Sequence, residues 1–159
     1  MLNTKMLGAV AALALLAACE SKTENAATGA GAAANTSAGP RPGSQEDLVA
    51  NVGDRVFFDT DQSSVRGDQR SILERQAAWL ARYPAVTVQL EGHADERGTR
   101  EYNLALGQRR ANSARDVLVA SGTAGARIAT ISYGKDRPAA LGSSEDAWAQ
   151  NRRAVTVVR

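Results

Sequence analysis

The chain has 159 residues, with 19 lysines and arginines against 17 aspartates and glutamates, one histidine and one cysteine. A charge balance this close to neutral argues against a nucleic-acid binder, which needs an excess of basic residues on one face. A single cysteine allows no disulfide within the chain, so the stability of a folded domain must come from a packed core.

Residues 1–18 have the pattern of a secretory signal peptide. Lys5 precedes an apolar run from Met6 to Ala18, and small residues lead up to Cys19. These thirteen apolar residues are fewer than the roughly 20 that a membrane-spanning helix needs. The sequence therefore predicts that this segment is cleaved, and because Lys5 leaves with it, 18 basic residues then face 17 acidic ones.

The four residues that end in Cys19, Leu-Ala-Ala-Cys, resemble the lipobox of bacterial lipoproteins, in which the cysteine is acylated and becomes the new N-terminus. At about 0.8 kcal/mol for each buried methylene group, two or three acyl chains make a stable anchor. The resemblance implies lipidation of Cys19, and the alternative is a cysteine that falls there by chance. The next residue, Glu20, is acidic, and in some lipoproteins an acidic residue at this position signals retention in the inner membrane. The sequence therefore leaves open whether the protein is sorted to the inner or the outer membrane.

The segment that follows the cysteine has the composition of a linker. From Glu20 to Gly43 it holds no aromatic residue and no apolar residue larger than alanine. Such a segment cannot bury enough apolar surface to offset the entropy of ordering it. Residues 19–43 are therefore predicted to be the lipidated cysteine and a disordered tether, which could extend to roughly 80 Å.

Residues 44–159 have the length of one ordinary domain. Their periodicity predicts strands at 55–59, 85–92, 127–134 and 153–158, and helices at 67–84, 100–120 and 143–151. Pro84 ends the first of these helices and Thr99 is a suitable cap for the second. Alternating strands and helices predict an α/β (α+β) fold in which helices pack on a face of a sheet.

The helix predicted at 100–120 carries two stripes of residues. One stripe recurs at helical spacing and is predicted to face the sheet: Leu104, Gly107, Ala111, Ala114 and Leu118. The other, Asn103, Leu106 and Arg110, lies about 100° further round the helix. Arg110 is therefore predicted to point towards the polar loop at residues 92–99.

This loop could carry an enzyme site or a metal site. His93 and Asp95, with Asp59 and Asp61 from the end of the first strand, could be metal ligands or a carboxylate pair for glycoside hydrolysis. One histidine and aspartates without a recognised ligand spacing support either reading weakly, and no G-x-S-x-G elbow is present. The structural alternative for His93 is that it bonds backbone groups at a strand end.

The loop could instead carry a binding site. The carboxylate of Asp95 and the guanidinium of Arg110 can converge if the helix folds back beside the preceding strand, and together they would complement a ligand that carries both an ammonium and a carboxylate group. Spacing alone leaves open whether the two residues simply pair with each other. The doublets Arg109-Arg110 and Arg152-Arg153 could equally be solvated charge at the ends of elements.

Three stretches resemble the C-terminal domain family of outer-membrane protein A: EGHADERGTREYNLALGQRRAN (91–112), ISYGKDRPAALG (131–142) and NRRAVTVV (151–158). The resemblance covers about residues 53–159 and implies an OmpA-like βαβαβ domain with a mixed sheet. It also implies that the domain binds the diaminopimelate side chain of peptidoglycan. The family's two charged contacts fall on Asp95 and Arg110, and the pocket residues beside them fall on Asp61, Thr60, Asn103 and Leu106.

The resemblance further implies a lipoprotein of the Gram-negative outer membrane, with no catalytic step, whose domain faces the periplasm and holds the cell wall. Its expected partners are peptidoglycan and the Tol proteins, with the propeller protein TolB among them, and its expected role lies in envelope integrity and in constriction at division. One alternative is a lipoprotein of the same fold without a Tol role. A more distant one is a cell-wall hydrolase that uses Asp59, Asp61 and Asp95.

Overall fold

The computed structural model describes residues 39–159. The predicted signal peptide, the predicted lipidation site Cys19 and residues 20–38 of the predicted tether lie outside the described residues. No helix in the described part is both long enough and apolar enough to cross a membrane.

The described chain forms four helices and four strands. In chain order they are α1 (Gln45–Asn51), β1 (Arg55–Phe57), α2 (Gly67–Arg82), β2 (Val88–His93), α3 (Arg100–Ala120), β3 (Ile128–Gly134), α4 (Glu145–Asn151) and β4 (Arg153–Val158), with one 3-10 turn at Gly125–Arg127. The bounds of α3 and β4 are those predicted from the sequence. Helix α1 was not predicted from the sequence.

Side-chain caps fix the starts of three helices. The hydroxyl of Ser44 accepts from the backbone N–H of Asp47 at the start of α1, and that of Thr99 accepts from Tyr102 at the start of α3. Ser144 caps α4 in the same way. Each cap satisfies one of the N–H groups that the first turn of a helix leaves without a partner.

The strands form one mixed sheet in the order β1-β4-β2-β3. Strand β4 runs antiparallel to both β1 and β2, and β2 runs parallel to β3. The predicted mixed sheet is confirmed. Strand β2 begins at Val88 and not at the predicted residue 85, because the preceding residues form a turn in which Val86 N–H donates to the Tyr83 carbonyl.

Helices α2 and α3 pack against each other and on the sheet. The core between them consists of buried aliphatic and aromatic side chains from both layers: Val56, Phe58, Leu73, Ala77, Leu80, Val88, Leu90, Ala111, Ala114, Leu118 and Ile128. Of the residues predicted to face the sheet from α3, Leu104 is only half buried and the others are buried.

Helix α3 approaches β2 most closely where two glycines meet. A Cβ atom added to Gly92 would overlap the carbonyl oxygen of Gly107 and lie 3.1 Å from the Gly107 Cα. A Cβ added to Gly107 would lie 2.8 Å from the Gly92 carbonyl oxygen. Backbone therefore packs on backbone here, which brings Asn103, one turn earlier on α3, and Arg110, one turn later, close to the end of β2.

Candidate functional site

The candidate site is a cavity of about 300 Å³ at the carboxyl ends of β1 and β2, beside the first half of α3. All six residues predicted from the sequence for the ligand site lie in its wall. The complete lining is Thr60, Asp61, Asp95, Arg97, Gly98, Tyr102, Asn103, Leu106 and Arg110. The fold therefore brings together a loop after β1, a loop after β2 and one stripe of α3.

Arg110 has almost no exposed surface although it carries a guanidinium group. Its Nε donates to the Gln62 carbonyl at 2.8 Å, its Nη1 to the His93 carbonyl at 2.8 Å and its Nη2 to the Asp59 carbonyl at 3.1 Å. Three of the five N–H groups of the guanidinium are thus engaged by backbone. Arg110 joins the two loops, and one N–H on each Nη atom remains for other partners.

The surroundings of Arg110 also set its ionisation. Burial lowers the pKa of Arg110 to about 10, against the opposing effect of the Asp95 and Asp61 carboxylates. The guanidinium therefore stays charged at neutral pH. The guanidinium carbon of Arg110 also lies 5.3 Å from the centroid of the Phe58 ring. The positive charge is therefore stabilised by an aromatic face as well as by carbonyl oxygens.

Asp95 is paired with two other arginines and not with Arg110. Its Oδ2 lies 2.6 Å from Arg97 Nη2 and 3.5 Å from Arg152 Nη1, and its Oδ1 accepts from the Nε and the backbone N–H of Arg97. Burial acts to raise the pKa of the Asp95 carboxyl, but the Arg97 hydrogen bonds and the two arginine charges outweigh it and hold the pKa below its usual value. Asp95 is therefore an anion at neutral pH.

Asp61 stands in the left-handed backbone region at φ 60°, and no other non-glycine residue of the described chain has a positive φ. Aspartate tolerates this conformation better than most side chains. The Tyr102 hydroxyl donates to Asp61 Oδ1 at 2.8 Å, and Thr60 Oγ1 accepts from Arg97 Nη2 at 3.4 Å. The loop after β1 is thus tied across the mouth of the cavity to both α3 and the loop after β2.

Asn103 and Leu106 form the wall on α3. Asn103 is buried, and its Nδ2 donates to the Arg97 carbonyl at 2.8 Å, so it fixes the loop that carries Asp95. Leu106 is also buried and adds an apolar side chain to the cavity wall. A ligand with an aliphatic stem and charged ends would match such a wall.

The structure does not gather the residues of the metal or hydrolase alternative into one cluster. Asp61 and Asp95 line the cavity, but the Asp59 carboxylate is exposed and pairs with Arg66 at 3.2 Å. The His93 ring is buried, with Glu91 Oε2 4.0 Å from its Nε2. Within residues 39–159, no three histidine, cysteine, aspartate or glutamate side chains are placed to share a metal ion.

His93 is expected to make the domain sensitive to mild acid. Burial, followed by the positive charge of Arg153, lowers the pKa of the His93 imidazole from 6.5 to about 4. The unfolded chain therefore takes up a proton below about pH 6.5 that the folded domain refuses until about pH 4, so stability falls as the pH falls through this window. Lowering the pH from about 7.5 to about 5 should cost about 2 kcal/mol of unfolding free energy.

Urea unfolding at the two pH values measures this loss, with His93→Gln as the matched variant that cannot titrate. The carboxyl groups with lowered pKa values, such as Asp95, do not contribute in this window because an unfolded aspartate releases its proton near pH 4. Equal losses in the parent and in His93→Gln would show that the histidine is not responsible.

Sequence reasoning missed three residues that shape the site. Arg97 and Tyr102 line the cavity, and Arg152 is buried behind Asp95. The interpretation of Arg152-Arg153 as solvated charge is wrong, since both residues are less than a tenth exposed. Arg152 donates to Glu145, seven residues earlier, and to the carbonyl of Phe58, a distant partner that no sequence spacing indicates. Arg97 could have been found from its position two residues after Asp95.

Comparison with known proteins gives one consistent result. Residues 57–152 match the OmpA family. The peptidoglycan-associated lipoprotein of Rhizobium meliloti is 54% identical over 160 positions that cover 98% of this chain and 88% of the relative. The protein of the same name from Haemophilus influenzae is 42% identical, with 95% of both chains covered.

Solved structures give the same picture. The crystal structure of the peptidoglycan-associated lipoprotein from Burkholderia pseudomallei superposes with a TM-score of 0.67 at 40% identity, and it covers 71% of this chain and 100% of that one. The C-terminal domain of Helicobacter pylori MotB superposes with a TM-score of 0.63 at 22% identity, over 67% of this chain and 84% of that one. The second likeness concerns the fold alone.

Proposed function

The chain belongs to the OmpA family, and we propose that it is an outer-membrane lipoprotein whose domain, residues 44–159, faces the periplasm and binds peptidoglycan without a covalent bond. Its relatives are named for their association with peptidoglycan and not for a reaction. The chain is not an enzyme, and the proposed function has no catalytic step.

The ligand we propose is the diaminopimelate side chain of the peptidoglycan stem peptide, which ends in an ammonium and a carboxylate group. The supporting observation is one cavity lined by both an ionised carboxylate, Asp95, and a charged guanidinium, Arg110. Asp95 would hold the ammonium group. The N–H groups of Arg110 that backbone leaves free would hold the carboxylate, while Asp61 and Thr60 border the mouth and Asn103 and Leu106 line the wall.

The rest of the chain supplies the attachment in this proposal. Residues 1–18 direct export and are removed, Cys19 carries the acyl chains, and residues 20–43 let the domain reach the wall. A modest affinity at each site suffices, because the membrane and the wall each present many copies of their element. The attachment of the outer membrane to the wall would therefore be strong overall, while binding at each single site stays reversible.

Calorimetry tests the ligand directly. The chain from residue 20 onwards is titrated with a soluble stem peptide that contains diaminopimelate, beside Asp95→Asn and a control, Asp116→Asn, on the exposed far part of α3. Loss of one charged hydrogen-bond partner should weaken binding by about tenfold or more in Asp95→Asn, whereas Asp116→Asn should bind like the parent. A stem peptide with lysine in place of diaminopimelate lacks the side-chain carboxylate and should bind weakly.

The proposal fails if a folded parent does not bind the diaminopimelate peptide, or if Asp95→Asn binds as well as Asp116→Asn. Equal binding of the lysine and diaminopimelate peptides would retain a peptidoglycan ligand but would remove the role assigned to Arg110.

We further propose that the protein acts in the Tol-Pal system, in envelope integrity and in outer-membrane constriction at cell division. Support comes from its sequence identity to the two named lipoproteins, 54% and 42%, over nearly the whole chain. Purified TolB should bind the chain from residue 20 onwards in a pull-down. Absence of this binding, with stem-peptide binding intact, would favour the alternative of an OmpA-like lipoprotein without a Tol role.

A further inference from the structure

Arg97 and Asp95 both line the cavity, and Arg97 holds most of the Asp95 carboxylate. The carboxylate has about four acceptor positions, and Arg97 fills three of them: its Nε and its backbone N–H reach Oδ1, both at 3.1 Å, and its Nη2 reaches Oδ2 at 2.6 Å. Arg152 Nη1 lies 3.5 Å from Oδ2, so its charge acts on the carboxylate, but it makes no hydrogen bond there. An ammonium group that enters the cavity therefore meets a carboxylate that is already neutralised.

The two arginines differ in their freedom to move. The Arg152 side chain is 8% exposed and is held by the Phe58 carbonyl and by Glu145. The Arg97 side chain is 40% exposed and has no such buried anchor. Arg152 is therefore a fixed neighbour of Asp95, whereas the guanidinium of Arg97 can be exchanged.

The Arg97 guanidinium contacts a second side chain, Trp148, while it pairs with Asp95. Its guanidinium carbon lies 4.2 Å from the centroid of the Trp148 ring, and that ring is fixed by a hydrogen bond from Nε1 to Glu96. Stacking of a guanidinium on an indole persists when the guanidinium slides along the ring. The carboxylates of Glu145 and Asp61 also act on the Arg97 charge, so a guanidinium displaced from Asp95 keeps both an aromatic and an anionic neighbour.

We propose that Arg97 is a resident counter-ion of Asp95, which the ammonium group of the ligand displaces on binding. This inference rests on the proposed function. Arg97 is then a specificity-determining residue, because a ligand without a cationic group cannot exchange with it, and it lowers the affinity for the correct ligand by the free energy of the pair it forms.

The test compares Arg97→Gln and Arg97→Lys with the parent chain from residue 20 onwards, using the diaminopimelate stem peptide. Arg97→Gln removes the counter-ion and should tighten binding by about three- to tenfold, the range of a partly exposed ion pair. Arg97→Lys keeps a cation beside Asp95 and should fall between the parent and Arg97→Gln. Arg70→Gln, an exposed arginine of α2 that pairs with Glu74, is the control and should leave binding unchanged.

Tryptophan emission gives an independent readout of the exchange. The chain has two tryptophans, and Trp79 is buried and bonded to Asp47, away from the cavity. Displacement of Arg97 changes the surroundings of Trp148, so the peptide should alter the emission of the parent. It should not alter that of Trp148→Phe, or that of Arg97→Gln when this variant is saturated with peptide.

Weaker binding by Arg97→Gln would overturn the inference and would show that Arg97 itself holds the ligand. Unchanged binding would also overturn it. If the parent binds and Asp95→Asn does not, either result leaves the proposed function standing. If neither the parent nor Arg97→Gln binds the peptide, the proposed function and this inference both fail.

Discussion

Alanine at Gly92 is expected to lower the free energy of unfolding by about 3 kcal/mol or more, which is the upper part of the range for overpacking a core. The added methyl group would overlap the Gly107 carbonyl oxygen. That oxygen belongs to the backbone of α3, so no side-chain rotation can relieve the overlap. The helix would have to move away from β2, which would also open the packing of Ala111 and Ala114 on the sheet.

Urea unfolding at neutral pH measures this effect, and two other glycines provide a graded comparison. Gly67, at the start of α2, has no atom within 4 Å of an added Cβ, so Gly67→Ala should change stability little. Gly107→Ala should be intermediate, because one of its obstacles, the Ser132 hydroxyl, can rotate away while the Gly92 carbonyl cannot. A Gly92→Ala protein as stable as Gly67→Ala would mean that α3 and β2 are not in close contact here.

Methionine at Arg110 is expected to destabilise the domain by about 3 kcal/mol or more. Methionine fills a similar volume but donates no hydrogen bond, so the carbonyls of Asp59, Gln62 and His93 all lose their guanidinium partner. The Asp59 carbonyl keeps the backbone N–H of Gln62 as a donor, whereas a buried carbonyl left without any partner costs about 1–3 kcal/mol, less where water can reach it. Arg110→Lys should recover only part of the loss, since one ammonium group cannot span three carbonyls on two loops.

The adjacent arginine gives the matched control. Arg109 is exposed, with its guanidinium 5.9 Å from the Tyr102 ring, and Arg109→Met should change the unfolding free energy by less than about 0.5 kcal/mol. Equal effects of the two substitutions would contradict the assigned role of Arg110. The difference also bears on ligand studies, because weak binding by an Arg110 variant can reflect a collapsed cavity as well as a lost contact.

The local sequence pattern was sufficient to predict most of the helices and strands and much of the candidate site. The 21 residues of α3 follow directly on the Thr99 cap, so the bounds of α3 and the stripe of Asn103, Leu106 and Arg110 could be predicted. The opposite charges of Asp95 and Arg110 also indicated that the two residues could converge, and both line the cavity. These features depend on neighbours in sequence, which a periodic pattern records.

The partners of the charged groups could not be predicted in the same way. The Arg110 guanidinium donates hydrogen bonds to three backbone carbonyls that lie 17 to 51 residues away in sequence. Because every residue has a backbone carbonyl, no residue type in the sequence marks these acceptors. The question of whether Asp95 pairs with Arg110 was likewise settled by Arg97 and Arg152, which compete for the same carboxylate. Start positions of strands such as β2 also depended on a distant group, the Arg127 guanidinium that bonds the carbonyls of Tyr83 and Val86.

The sheet topology also decides how the domain would respond to tension. The chain enters at Ser44, where Gln45 bonds the Thr156 carbonyl and the Val158 N–H, and Val158 lies opposite Val88 at the start of β2. The cavity lies at the other end of that strand, beyond His93. A pull between the membrane and the wall would therefore act along the strands.

Such a pull stresses the hydrogen bonds between β1 and β4 together, in shear, and does not open them one after another from an end. Helix α1 would carry the force first, and its hydrogen bonds to β4 and the burial of Leu48 in the core would oppose its detachment. In the proposed function, this arrangement would make the domain resist such a force better than a sheet whose strands open one after another from an end.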